Sequence, residues 1–185
     1  SALGKDGTVA PSNRLQLVGI GLKSQGGGDM RQLMSKKGVQ VIAICDVDRR
    51  VLKSVSENVV KKGLSAPNQY VDFREMLAKE KPDAAVHGLP DHWHGVISCA
   101  LLRAGIDVYG EKPLAKTWAE GKAIADAVKE NGRVWQTGMW QRSTPNFRRG
   151  VELVRNGMLG KILKVEVGTG PNKQVMPPAP QPGEK

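Results

Sequence analysis

Short apolar runs that alternate with longer amphipathic stretches predict an α/β protein built on a doubly wound parallel sheet. Three observations carry that expectation. Leu15–Ile20 is a brief apolar run that closes in a glycine turn, Gly19-Ile20-Gly21. Five more short runs follow it, each separated from the next by a helical or turn-rich stretch. The residues richest in chemistry, Asp46, Pro90 to His94 and Glu111-Lys112-Pro113, all fall just after such runs. A parallel sheet gathers its ligand-binding groups there, at the carboxyl ends of its strands.

Taken in order, residues 1–13 are small, polar and turn-rich and read as an extended arm. Leu15–Ile20 is the first strand. The glycine-rich stretch 19–28 leads to a helix expected over about 29–37. Val39–Cys45 is a second buried strand and ends on Asp46-Val47-Asp48, before a helix over 49–62. Residues 70–71 form a short third strand, and Asp72 is placed to cap a helix over Phe73–Lys79. Ala84–His87 is the fourth strand, followed by a turn and a helix over 92–104 that Gly105 stops. Trp93 is assigned to packing within that helix. Residues 107–109 form the fifth strand. Its end, Gly110-Glu111-Lys112-Pro113, must turn, because proline removes a donor and fixes φ. Thr117 and Glu120 spell a capping box for a helix ending before Gly132. A sixth strand over 134–137 and a helix over 145–156 complete the pattern. Residues 162–167 alternate apolar and polar and read as a strand with one wet face. The last stretch, 175–185, holds Pro177, Pro178, Pro180 and Pro182, which bar a helix or an inner strand.

The chain of 185 residues is enough for one domain of ordinary size, or one plus a fragment. Its 39% hydrophobic and 25% charged content fit a soluble globular protein. No apolar run is long enough for a membrane helix, so no membrane role is expected. The net charge of +10 raises the possibility of a nucleic-acid partner. The basic pairs are scattered, however (Lys36-Lys37, Arg49-Arg50, Lys61-Lys62, Arg148-Arg149), and lack interleaved aromatics. They read as solvated surface, and no nucleic-acid partner is expected. Cys45 and Cys99 form no C-x-x-C motif and fall in different buried elements, so both are expected as free thiols.

The glycine turn sits between a strand and a helix, the setting of a phosphate-binding turn. Gly19 permits the tight turn, and Gly21 lets a pyrophosphate approach the backbone. In the G-x-G-x-x-G pattern the third glycine would fall at position 24, which is Ser24, and Gly26, Gly27 and Gly28 follow instead. Asp46 lies 25 residues beyond Gly21 at the end of the second strand. That is where a carboxylate binds the adenosine ribose hydroxyls of a dinucleotide. It would repel a 2′-phosphate, which favours NAD over NADP, although Arg49 and Arg50 are near. The competing assignment for Asp46 is a plain helix N-cap. His92 and His94 stand two apart, which puts them on different helix faces, and no third ligand is near, so no metal is expected.

The set Gly19-x-Gly21, Cys45-Asp46, Pro90-Asp91-His92-Trp93-His94, Glu111-Lys112-Pro113 and Gln136-Thr137-Gly138 through Gln141-Arg142-Ser143 resembles the Gfo/Idh/MocA family of oxidoreductases. The resemblance spans roughly residues 14–168. It implies an N-terminal Rossmann domain that binds NAD(P), a C-terminal α+β domain, and hydride transfer to or from sugars, inositols or related polyols. It further implies that Gly19, Gly21 and the neighbouring Ser24 cradle the pyrophosphate and that Asp46 holds the adenosine ribose. Pro90 and His94 would line the nicotinamide end, and Glu111 would approach the nicotinamide ribose. Lys112 would reach the substrate hydroxyl as the catalytic base, with a Lys112–Pro113 bond that is often cis in relatives. Arg142 would sit near the substrate or cofactor edge. To act as a base, a lysine must first give up its own proton, which burial and the cationic nicotinamide ring favour. Glu111 would oppose that loss if its carboxylate pointed inward.

The expected organisation is therefore an arm over 1–13, a dinucleotide-binding domain over 14–160, and the first strand and proline-rich linker of an otherwise absent catalytic domain over 161–185. A truncated or proteolysed product explains that pattern, with a natural stand-alone module as the alternative. Within the family, the alternative to a dehydrogenase is a glycosidase that uses NAD transiently. Outside catalysis, the alternative is a dinucleotide-binding module. Homo-oligomers are expected of the full-length protein. The Ser-Ala-Leu-Gly-Lys-Asp-Gly start resembles the mature start of exported relatives, which suggests a periplasmic location, with the cytoplasm as the alternative.

Overall fold

The computed structural model describes residue 10 and residues 13–168, so most of the expected arm and all of 175–185 lie outside the described residues. Its elements run β1 (Leu15–Ile20), α1 (Gln25–Leu33), β2 (Val39–Cys45), α2 (Arg49–Lys61), β3 (Asn68–Tyr70), α3 (Phe73–Lys79), β4 (Ala84–His87), α4 (Asp91–Arg103), β5 (Asp107–Glu111), α5 (Trp118–Asn131), β6 (Trp135–Gly138), a 3-10 turn over Trp140–Ser143, and α6 (Pro145–Arg155). The six strands form one parallel sheet in the order β3-β2-β1-β4-β5-β6. The strand order reverses between β1 and β4, and such a reversal opens a crevice at the carboxyl edge of the sheet.

Both faces of the sheet are covered, as parallel strands require. Val18 and Ile20 of β1 join Ala43, Cys45, Met76, Ala85, Leu101 and Leu102 on one face. Leu17, one residue out of phase, joins Met30, Ile44, Leu52, Val59 and Val86 on the other. Register then aligns the strand ends. Ile20 lies opposite both Cys45 and His87, and His87 lies opposite Gly110. The next residue in each strand is Gly21, Asp46, Gly88 and Glu111, so the sheet brings these four to one edge.

Local signals hold where side chains cap helices. Asp72 accepts from the Arg74 amide at the start of α3, and Thr117 and Glu120 complete the capping box of α5. Gly132 ends α5 in the left-handed region at φ 59°. Cys45 and Cys99 are buried free thiols. Burial and the neighbouring Asp46 and Asp72 push the Cys45 thiol up to about 12.

Two expectations fail. Helix α1 begins at Gln25, not near Asp29, so Gly26, Gly27 and Gly28 are helical. Glycine in a helix costs about 1 kcal/mol relative to alanine, but close packing requires it at two of these positions. A Cβ on Gly26 would overlap the Gly21 carbonyl oxygen, and one on Gly27 would overlap that of Leu22. Residues 162–167 form no strand, and Leu163, Val165 and Val167 are 87%, 75% and 89% exposed. Alternation alone does not make a strand: none of the described strands pairs with this segment to take up its N–H and C=O groups. Compactness also divides the chain into two units, one up to Trp140 and one from Gln141. Helix α6, in the second unit, buries none of its residues. No helix among the described residues is long and apolar enough to cross a membrane.

Candidate functional site

The glycine turn is held by β2 as well as by β1. The Gly21 amide donates to the Cys45 carbonyl at 3.0 Å, and Gly21 adopts φ +69°, which an L side chain rarely takes. A Cβ there would also lie 2.7 Å from the Gly88 carbonyl oxygen. A Cβ on Gly88 would lie 2.5 Å from the Gly26 nitrogen. Gly21, Gly26 and Gly88 therefore pack backbone against backbone. Gly26, not residue 24, fills the role of the third glycine, which is close packing of helix on strand. Gly19 also has no room for a side chain, since a Cβ would lie 2.5 Å from Met30 Sδ.

Ser24 occupies the N-cap position of α1, exposed, with a hydroxyl that makes no capping hydrogen bond. The first helical bond runs from the Gly28 amide to the Ser24 carbonyl at 3.3 Å, and the first turn holds no acidic residue. A helix start of this kind leaves amides without helical partners and carries partial positive charge, which suits a diphosphate.

Asp46 is not the cap of α2. That position belongs to Asp48, whose Oδ1 accepts from the Arg50 amide at 2.9 Å. Asp46 instead ties β2 to the glycine turn: its Oδ2 accepts from the Leu22 amide at 2.8 Å and its Oδ1 from the Asp48 amide at 2.9 Å. A carboxylate has about four acceptor sites, so two remain for ribose hydroxyls on this half-buried side chain. These features fit the adenosine and diphosphate parts of a dinucleotide.

Pro90 is the exposed residue that starts α4. His94 was expected to line the nicotinamide end. It is 0% exposed, and its Nε2 meets the Leu89 carbonyl at 2.9 Å. With no exposed atom, it supports the β4–α4 turn from behind. His87, which the sequence reading treated only as a strand end, packs edge-on to His94 at 5.1 Å, and its Nε2 lies 3.0 Å from Ser98 Oγ. Burial, then the neighbouring His94, lowers the His87 pKa to about 3. Trp93 is 38% exposed, with its ring 6.2 Å from that of His92.

At the end of β5 the two charged neighbours part. Lys112 is exposed at the crevice edge, and the Lys112–Pro113 bond is cis. Glu111 is 3% exposed and folds inward, where its Oε2 accepts from the Lys112 amide at 3.2 Å. Burial, then the nearby Asp29 carboxylate, pushes the Glu111 carboxyl above the ordinary carboxylate range, against the pull of Lys112. Asp29 was not foreseen as a site residue. One clue was present: it lies one helical turn before Leu33, on a face that should be apolar. Pro113 is exposed beside Lys112. Arg142 is exposed in the second unit. Among the described residues no cluster of metal-ligating side chains is present.

The strand order, the glycine turn on β1 and the carboxylate ending β2 define a dinucleotide-binding Rossmann domain. The model of the Gfo/Idh/MocA oxidoreductase family, described as an NAD-binding Rossmann fold, matches residues 14–139, and the chain belongs to that family. A glycosyl hydrolase family 109 protein of Shewanella woodyi is 28% identical over 169 residues, covering 86% of this chain and 35% of that protein. An alpha-N-acetylgalactosaminidase of Shewanella oneidensis is 27% identical over 169 residues, 86% of this chain and 36% of its own length. The chain thus spans about a third of the length of these curated relatives. Among solved structures, myo-inositol 2-dehydrogenase from Lactobacillus plantarum matches with a TM-score of 0.71 at 28% identity, over 80% of this chain and 43% of that one. GenD2 from gentamicin A biosynthesis, solved with NAD, shares the fold with a TM-score of 0.70 at 24% identity, over 82% of this chain and 42% of that one.

Proposed function

We propose that this chain is the cofactor-binding part of an NAD(P)-dependent oxidoreductase acting on a sugar, inositol or related polyol. The observation that carries the proposal is the register of the sheet. It brings the Gly21 turn, Asp46 and the Glu111-Lys112 corner to the carboxyl edge of one sheet. In this reading the Gly19–Gly21 turn and the start of α1, with Ser24 at its cap, receive the diphosphate. Asp46 accepts hydrogen bonds from the adenosine ribose, and Pro90 and Pro113 border the nicotinamide and substrate side. When bound, the nicotinamide supplies the hydride acceptor or donor. Lys112, from its exposed position, takes the proton of the substrate hydroxyl on Nζ during oxidation and returns it during reduction. NAD is favoured over NADP. Asp46 repels a 2′-phosphate, and the nearby Arg50 guanidinium, which would offset this, is held by Asp48 Oδ2 at 2.8 Å. Residues 161–185 would lead into the substrate-binding part of a longer protein, which fits the share of the relatives that this chain covers.

A second reading has a specific observation behind it: the matched Shewanella proteins carry glycosidase names. A sugar ring oxidised by the cofactor, cleaved and re-reduced would use the same crevice and the same lysine. One assay on the full-length protein separates the two. Net NADH formation with inositols or free sugars supports the dehydrogenase. Cleavage of an aryl α-N-acetylgalactosaminide without net NADH supports the glycosidase. In either case Lys112→Met should lower turnover by about 100-fold or more and leave NAD affinity within about twofold. Undiminished turnover in that variant removes Lys112 as the base.

A further inference from the structure

Two carboxyl groups meet under the crevice where one would be expected. Asp29, from α1, is 6% exposed, and Glu111, from the end of β5, is 3% exposed. Each has one oxygen engaged by a near neighbour in the chain: Asp29 Oδ1 accepts from Gln25 Nε2 at 2.9 Å, and Glu111 Oε2 accepts from the Lys112 amide. Each leaves the other oxygen, Asp29 Oδ2 and Glu111 Oε1, fully buried without a hydrogen-bond donor. The two side chains stand within hydrogen-bonding reach of one another. The wall behind Glu111 is closed: a Cβ on Gly138 of β6 would overlap Glu111 Oε1 and lie 3.0 Å from Tyr109 Oη.

Two buried oxygens that can only accept cannot satisfy each other while both groups are ionised, and an unmet buried acceptor beside a like charge is costly. A single proton placed between them removes both faults at once: it supplies the missing donor and cancels one charge. We propose that Asp29 and Glu111 share one proton between Oδ2 and Oε1, and that Asp29 is a positioning residue that holds the Glu111 carboxyl neutral and turned inward behind Lys112.

The charged or titratable groups that face Glu111 are consistent with this pairing. Asp29 comes from α1, Tyr109 from the same strand, and Lys112 from the next position. Burial, then Asp29 and Glu111, raises the Tyr109 phenol, so it too stays neutral near pH 7. The negative charge behind the lysine is then one rather than two. The Glu111 carboxyl does not lock the lysine in an ion pair, and Lys112 stays exposed for a substrate. This last consequence rests on the base role proposed for Lys112. The shared proton does not.

Carboxyl 13C NMR of the protein labelled at glutamate and aspartate, followed through a pH titration, tests the pair directly. The Glu111 carbon should titrate above the other glutamates, and the Asp29 carbon should report the same event at the same pH, as coupled groups do. In Asp29→Asn the Glu111 midpoint should fall by about one pH unit or more. A Glu111 midpoint in the ordinary range, an Asp29 signal silent at that pH, or an unmoved midpoint in D29N would overturn the proposal. Should D29N fail to fold, the wild-type titration decides alone. The outcome is independent of turnover: absent activity with a coupled titration would discard the base role and keep the pair. Activity with independent titrations would do the reverse.

Discussion

His87 carries a pH signature that belongs to a single residue. Its imidazole is buried, and its pKa is held at about 3 against an ordinary 6.5. The unfolded chain therefore takes up a proton below pH 6.5 that the folded chain refuses, and stability falls as pH drops toward 3. From pH 7 to pH 5 this one group should remove about 2 kcal/mol. Urea denaturation of wild type and His87→Gln at both pH values checks it: the loss should be smaller in H87Q by about that amount, and parallel losses would contradict it. At this scale the legible residues were those whose chemistry shows in their type and place. The places of Asp46 just after β2 and of Lys112 just after β5 needed no tertiary information. His94 and Asp29 did. Nothing local in Trp93-His94-Gly95 says that the histidine ring meets the Leu89 carbonyl. Nothing local around Gly28-Asp29 says that a strand from the far half of the sheet places Glu111 beside it.

At the scale of elements, α1 shows tertiary contact overriding propensity. Three successive glycines argued for a loop, and the helix forms through them because its backbone must lie against Gly21 and Gly88. Two substitutions two residues apart should therefore act in opposite directions. Gly28→Ala meets nothing closer than 3.8 Å and should stabilise by about 0.5–1 kcal/mol. Gly26→Ala drives a methyl into the Gly21 carbonyl and should destabilise by about 1–3 kcal/mol. Urea midpoints read both, and a neutral G26A would contradict the close packing. The capped helices were legible in sequence because a cap is a local bond, as at Thr117 and Glu120. Residues 162–167 were misread for the converse reason: alternation is local, while a strand exists only when a neighbour pairs with it.

For the whole molecule, alternation of strands and helices was enough to anticipate the parallel sheet, since right-handed crossovers leave few arrangements. The register that aligns Gly21, Asp46 and Glu111 was not written in any one segment, and it is what turns three separate motifs into one edge. The division between Trp140 and Gln141 was equally hidden, because α6 reads as an ordinary helix in sequence, yet buries none of its residues. The central claim is that this edge holds a nicotinamide dinucleotide through the glycine turn and Asp46. Calorimetric titration of NAD and NADP into the protein tests it most directly. NAD should bind, and more tightly than NADP. Asp46→Ala should weaken NAD by about tenfold or more, the loss of a hydrogen bond to a charged group. Binding of neither dinucleotide, or NAD binding to D46A as tight as to wild type, would contradict the account.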